Sequence, residues 1–284
     1  MTKKLPSPTR TRQLLPALII AAATLAASCG GGSPSGGSPE KGKPVHPAFR
    51  LDASELSPLF RDLPPEIGAS VLLRPGEFLA LAAEVLELPQ DLLILVDKKN
   101  ALPDSYEPGD LRYLRDFPVA VSRRDLRFRE AALPALLAMA GAARSDGVEL
   151  LASSAYRSYT YQKTVHDRIV REMGQEAADR ESARPGHSQH QLGTVIDFGS
   201  ISDDFTGTPM QRWLQARAGD FGFSLSFPQG REAVTGYRHE SWHFRYIGPA
   251  AVRMEKEFFQ GVQQWFLEFW AAAGPALRAA RIPG

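Results

Sequence analysis

Two stretches of this chain carry side chains whose types and spacing can do chemistry. The segment Arg184 to Asp197 contains His190 and Asp197, and the segment Glu240 to Tyr246 contains Glu240 and His243. Zinc takes imidazole nitrogen and carboxylate oxygen in a tetrahedral set, and a catalytic zinc uses three protein ligands and leaves one position for water. His190, Asp197 and His243 supply such a set. Glu240 stands three residues before the last ligand, where it can serve as general base toward water at that metal.

These residues need elements to position them. Gly193 lets the chain fold back between His190 and Asp197, and the β-branched and aromatic run Thr194 to Phe198 reads as a short strand presenting Asp197 at its end. Gly236 to Tyr246 also reads as strand-like, with Trp242, Phe244 and Tyr246 alternating. A straight strand would put Glu240 and His243 on opposite faces, so the chain must bend near Ser241. His239 to His243 satisfies the H-E-x-x-H pattern as well, the signature of a zincin. That pattern needs a helix so that residues four apart share a face, and the alternation here, with Gly236 before and Gly248-Pro249 after, argues against one.

The remaining elements alternate in kind. Short helices and loops are expected over Val45 to Pro75, a helix over Gly76 to Leu88, and a buried strand over Leu92 to Val96. Arg127 to Arg144 reads as a helix with Pro134 either in its first turn or at a kink. A strand follows over Val148 to Ser153, then a helix Tyr159 to Met173 with Ser158 as its N-cap. Pro209 to Ala218 reads as helix and Phe221 to Phe227 as strand. Helices early and strands late give an α+β class with a small antiparallel sheet and flanking helices. Residues 250–284 project as one amphipathic helix, with Phe258, Trp265, Phe269 and Trp270 on one side and Glu255, Gln263 and Gln264 opposite, docked on the protein's own core. His166 and His46 read as surface residues, and His187 as a neighbour of the metal rather than a ligand.

Composition bounds the function. With 284 residues, 43% of them hydrophobic, and a net charge of +1, the chain can bury a full core and has no electrostatic bias toward nucleic acid. Lys3, Lys4, Arg10 and Arg12 precede the apolar run Leu14 to Ala27, the layout of an export signal. That run ends at Cys29, the only cysteine, and the Gly/Ser/Pro stretch after it reads as a tether. The expected organisation is a signal peptide at 1–28, a tether at 29–44, an irregular helical extension at 45–90, a zinc domain at 91–249 and a helical extension at 250–284.

Several motifs in order resemble one family. Val96 to Tyr106, Ser154 to Gln162, Ala183 to His190, Gly193 to Asp197, Thr235 to Tyr237 and Glu240 to Tyr246 are similar to the VanY-type D-alanyl-D-alanine carboxypeptidases. Related L,D-carboxypeptidases of the LAS zinc metallopeptidase group, whose fold is hedgehog-like, share them. The resemblance implies one zinc ion per chain held by His190, Asp197 and His243, Glu240 as catalytic base, and Arg157 polarising the scissile carbonyl. It places Ser188 and Gln162 near the terminal carboxylate of the substrate, a peptidoglycan stem peptide cleaved with D,D- or L,D-specificity. The segment ending at Cys29 resembles a lipobox, implying a lipid anchor on the membrane of the bacterial envelope. Gln189, Ser226 and Ser241 depart from the family pattern, as does Arg217, without removing a ligand or the base. An inactive zinc-stabilised binding module is the contrasting expectation. Retention of both Glu240 and Arg157 argues against it, because metal binding alone needs only the three ligands.

Overall fold

The structure, a computed structural model, describes residues 42–282. Cys29, the signal-like run and most of the tether lie outside them. Its strands are β1 (Leu111–Tyr113), β2 (Ala120–Val121), β3 (Arg127–Arg129), β4 (Leu151–Ser154), β5 (Val195–Phe198), β6 (Phe223–Leu225) and β7 (His243–Tyr246). A five-stranded sheet runs in the order β2-β4-β5-β7-β6, and β1 and β3 form a separate antiparallel pair. The α+β class expected from the sequence holds. The contacts from β4 to β6 are antiparallel, but the edge pair β2 and β4 is parallel. Parallel neighbours need a long crossover, and the helix Leu133–Ser145 lies within that connection.

That helix is shorter than the span Arg127 to Arg144 predicts. Pro134 falls in its first turn, the one helical position where a missing N–H costs nothing and the ring meets no carbonyl behind it. Upstream, Arg127 to Arg129 pair instead with Tyr113 to Leu111. The expected strand over Leu92 to Val96 is also absent, replaced by a 3-10 turn over Gln90–Leu93 and an extended but unpaired segment. Its carbonyls meet a side chain rather than a ladder, since Arg245 Nη2 donates to Leu92 O at 2.9 Å and to Ile94 O at 2.8 Å. Arg245 is wholly buried on β7, and burial pulls its guanidinium down to about 9.

Ser158 caps the helix Tyr159–Met173 by accepting from Tyr161 N. The face this helix buries carries Gln162 and His166, while Val165, Ile169 and Met173 line a cavity instead of a core. His166 is therefore inside, not at the surface as expected, with Asp179 at 3.6 Å and Gln175 at 3.3 Å from its Nε2.

The two terminal extensions form one helical wing. Leu56, Phe60, Val71, Phe78 and Val85 from the N-terminal side share a core with Phe258, Phe266, Phe269 and Leu277 from the C-terminal side. Phe60 stacks on Phe269 at 4.7 Å between centroids, and Phe78 meets Phe258 edge-on at 5.3 Å. The segments at the two ends of the described residues are tied by Arg50 N donating to Ala280 O and Ile282 N donating to Ala48 O, both at 2.9 Å.

The C-terminal stretch is two helices, Pro249–Phe258 and Gln263–Ala280. Gln260 and Gly261 between them have φ of 55° and 67°, a left-handed break that resets the helical phase. For this reason Gln263 and Gln264, expected on a solvent face by a single projection, are buried at 1% and 6% exposure, while Glu255, expected there too, is buried at 4% because it lies one turn before Phe258 on the same helix face. No helix among the described residues is long and apolar enough to cross a membrane.

Candidate active site

The site is assembled across three adjacent strands. Asp197 on β5 lies opposite His243 on β7, and opposite Ser154 on β4. His190 arrives from the 3-10 turn Gln189–Leu192, which ends at Gly193 with φ of 71°. A Cβ on Gly193 would sit 2.9 Å from Leu111 Cδ2, so only glycine permits both the turn and the packing behind it. The chain then runs straight into β5 and delivers Asp197.

At the centre, His190 Nε2 lies 3.1 Å from Asp197 Oδ2 and His243 Nδ1 lies 3.1 Å from Asp197 Oδ1. One ligand atom from each of the three buried residues falls within 4.8 Å of the others. The outer ring nitrogens fix the tautomers. His190 Nδ1 lies 2.7 Å from the carbonyl of Ala155, which can only accept, so Nδ1 carries the proton and Nε2 turns its lone pair inward. His243 Nε2 lies 3.3 Å from Gln189 Oε1, which leaves Nδ1 as its inward nitrogen. Ring nitrogens and carboxylate oxygens this close in a buried place repel one another unless a proton or a metal cation joins them. The donor set of two imidazoles and one carboxylate therefore fits zinc.

Protonation reflects the same crowding. Burial opposes ionisation of Asp197, but the charges and hydrogen bonds of His190 and His243 outweigh it and hold the carboxyl below the usual range. Burial, helped by Arg157 and His243, pulls His190 down to about 4. For His243 burial is overcome by Asp197 and Glu240, which raise it to about 9.

The bend required near Ser241 is present. Ser241 and Trp242 form a turn before β7, with His243 N donating to Glu240 O at 3.3 Å and Glu240 N donating to Phe227 O at 3.1 Å. The bend brings Glu240 Oε2 within 3.4 Å of His243 Nδ1. No helix spans His239 to His243, and His239 Nδ1 donates to Phe227 O at 2.9 Å, outside the ligand cluster. The zincin pattern is thereby set aside.

Arg157 follows β4 and is held from two sides. Its Nη1 donates to Gln162 Oε1 at 2.8 Å and its Nη2 to Ser154 Oγ at 3.1 Å. Asp197 Oδ2 is 3.9 Å from Nη2, too far for the tight bidentate pair of a purely structural arginine. Desolvation lowers its pKa against the pull of Asp197 and Glu240. The amide of Gln162 is committed, since Nε2 donates to Ala183 O at 2.6 Å, so this residue orients Arg157. Ser188 is buried and lines the same cavity of about 480 Å³, together with Arg157, Glu240, His190, Asp197 and His243. Ser154, the carbonyl of Ala155 and the amide of Gln189 are contributors that the motifs alone did not reveal. Only the register of β4 against β5 shows that Ser154 faces the site.

Comparison with known proteins agrees with this geometry. The family model described as VanY, D-alanyl-D-alanine carboxypeptidase, matches residues 125–249. A D-alanyl-D-alanine carboxypeptidase of Enterococcus faecalis is 33% identical over 205 residues, covering 69% of this chain and 72% of that protein. The chain belongs to the VanY family. Among solved structures, the LdcB LD-carboxypeptidase superposes with a TM-score of 0.57 at 34% identity, covering 64% of this chain and 88% of that one. A vancomycin-resistance D,D-pentapeptidase VanY solved in complex with Zn(II) superposes at 0.52 with 31% identity, covering 62% of this chain and 99% of its own. The VanY-family match begins before β3 and ends at the start of the C-terminal helices, so most of the helical wing lies outside it.

Proposed function

We propose that this VanY-family protein is a zinc carboxypeptidase that removes the C-terminal D-amino acid from peptidoglycan stem peptides. One observation carries the reading: a buried His190–Asp197–His243 donor set has Glu240 at 3.4 Å from His243 and a doubly anchored Arg157 beside it. A binding module needs the first part and has no use for the rest. The names of the Enterococcus faecalis relative and of LdcB support the substrate class.

Zinc, when bound, supplies Lewis acidity that makes water a nucleophile near neutral pH. Glu240 takes the proton of the attacking water and returns it to the departing amine, acting first as base and then as acid. Arg157 holds a fixed positive charge toward the carbonyl oxygen as it becomes negative, and Gln162 and Ser154 keep it aimed there without reorganisation during the reaction. Gln189 and the Ala155 carbonyl fix the two imidazoles. Ser188 offers a hydroxyl in the cavity for the substrate's terminal carboxylate.

Mass analysis of pentapeptide and tetrapeptide muropeptides incubated with the zinc-loaded protein tests this. Loss of one D-alanine from the pentapeptide marks D,D-cleavage, and trimming of tetrapeptide to tripeptide marks L,D-cleavage. Neither change, with zinc and muropeptide still bound, hands the reading to the binding module. The reading extends to an exported protein anchored by lipid on Cys29, supported by the basic-apolar N-terminus and the stretch that follows it. Metabolic lipid labelling that persists in Cys29→Ser would sink that part.

A further inference from the structure

A second cavity, of about 310 Å³, adjoins the catalytic one, and Ser182, His187 and Tyr237 line both. Its other walls are Lys98, Asp179 and Arg184. Arg184 spends its charge on Asp179 through bonds of 2.9 and 2.6 Å. Lys98 donates only to the backbone carbonyl of Asp179, and its ammonium lies 4.5 Å over the Tyr237 ring. The charge of Asp179 acts on it, but among the described residues no carboxylate forms an ion pair with it.

Lys98 is held in place. Its stem packs on Gly236 so closely that a Cβ there would sit 2.8 Å from Lys98 Cδ. The turn that carries it is fixed by Asp97, only 7% exposed. Asp97 Oδ1 accepts from Lys99 N and Asn100 N at 2.8 Å and from Asn100 Nδ2 at 2.9 Å. Its Oδ2 accepts from Gln264 Nε2 of the C-terminal helix at 2.7 Å. The same turn steers the catalytic wall, because His187 Nδ1 donates to Asp97 O at 2.7 Å and Leu102 N donates to Gly186 O at 2.8 Å. The helical wing thus anchors a cation at the edge of the catalytic cavity.

We propose that Lys98 forms a carboxylate-binding subsite, which selects stem peptides bearing a free carboxylate upstream of the scissile bond. The inference rests on the stem-peptide reading above. Such peptides offer this group in two places: the α-carboxylate of a glutamate linked through its side chain, and the second carboxylate of a diamino diacid at the next residue. Each can be masked as an amide without changing its shape, which removes the charge that Lys98 would meet.

The test uses the zinc-loaded full chain and two pairs of stem peptides, free acid against amide at each of the two places. In the wild-type protein kcat/KM should favour the acid in one pair. Lys98→Gln should shrink that acid-to-amide ratio about tenfold, as expected for losing one charge-assisted contact, while Lys98→Arg keeps most of it. The pair that responds identifies the carboxylate. Equal ratios in wild type and Lys98→Gln for both pairs would overturn the proposal. If the wild type cleaves none of the peptides, the functional reading has failed by itself. Calorimetric binding of the same pairs to the same proteins then reads the preference directly, and equal affinities for acid and amide count against Lys98.

Discussion

The catalytic sheet and the helical wing solve opposite problems. Around the sheet, Gln162, Ser188, Gln189, His190, Asp197 and His243 are all buried polar groups lining one cavity. In the wing, Phe60, Phe78, Phe258, Phe259, Phe266 and Phe269 fill an apolar core, and the helices that carry it also bury Glu255, Gln263 and Gln264. Burying unpaired polar groups costs stability, whereas burying aromatic rings provides it. The contrast shows where each half gets its constraint: the site is organised by chemistry that needs a metal, and the wing by packing that needs nothing else. The wing also reaches the site, through Gln264 and the Asp97 turn.

The largest expected effect separates the two halves most cleanly. Glu240→Gln should lower turnover by about a hundred- to ten-thousandfold, with zinc content and thermal midpoint retained, because the carboxylate acts on the reaction and supports no packing. Turnover near wild type, measured on the muropeptide that the wild type cleaves, would exclude Glu240 as the base. Phe78→Ala is the converse. Its ring meets Phe60, Phe258 and Phe269 within 5.6 Å between centroids, so its loss should cost about 3–5 kcal/mol of stability. Denaturant unfolding followed beside activity per folded molecule checks this; a specific activity that falls as far as the stability would mean that the wing does more than pack.

Arg157→Lys sharpens the catalytic side. Lysine keeps the charge but cannot donate to Gln162 and Ser154 through a planar fork, so the cation loses its aim. Turnover should fall by about a hundred- to thousandfold while KM and zinc content change little. A loss confined to KM would make Arg157 a binding group instead.

The two halves were also unequally legible. Near the site, residue type carried the information: few arrangements place two histidines, an aspartate and a glutamate at these separations, and the bend at Ser241 followed from requiring Glu240 and His243 to meet. The sheet's register is not readable from sequence, so the motif that contains Ser154 and Ala155 does not show that the one faces the site and the other holds His190 through its carbonyl. In the wing, apolar periodicity predicted helices but not their phase, because the left-handed pair Gln260 and Gly261 interrupts the pattern. Arg245 is the sharpest case. A strand-like apolar run at Leu92 to Val96 became an unpaired segment because a distant buried guanidinium takes two of its carbonyls, a contact that no local pattern announces.

The smallest effect comes from the one acid that the wing buries. Glu255 is 4% exposed, its Oε2 has no hydrogen-bond partner, and burial, only partly offset by Ser224 and Lys256, pushes its carboxyl up to about 7 from 4.5. The folded state therefore holds this proton more tightly than the unfolded chain does. The stabilisation is complete below the unfolded pKa, declines as pH rises through about 7, and is gone above it. Across that window the loss should reach about 2–3 kcal/mol. Denaturant unfolding of the zinc-loaded protein between about pH 5 and 8, roughly the span over which the linkage acts, should show this decline. Glu255→Gln, which keeps the shape and removes the ionisation, should flatten the profile and be the more stable protein at the alkaline end. A variant as pH-dependent as the wild type would place the titration elsewhere and leave the wing's buried acid without a part in it.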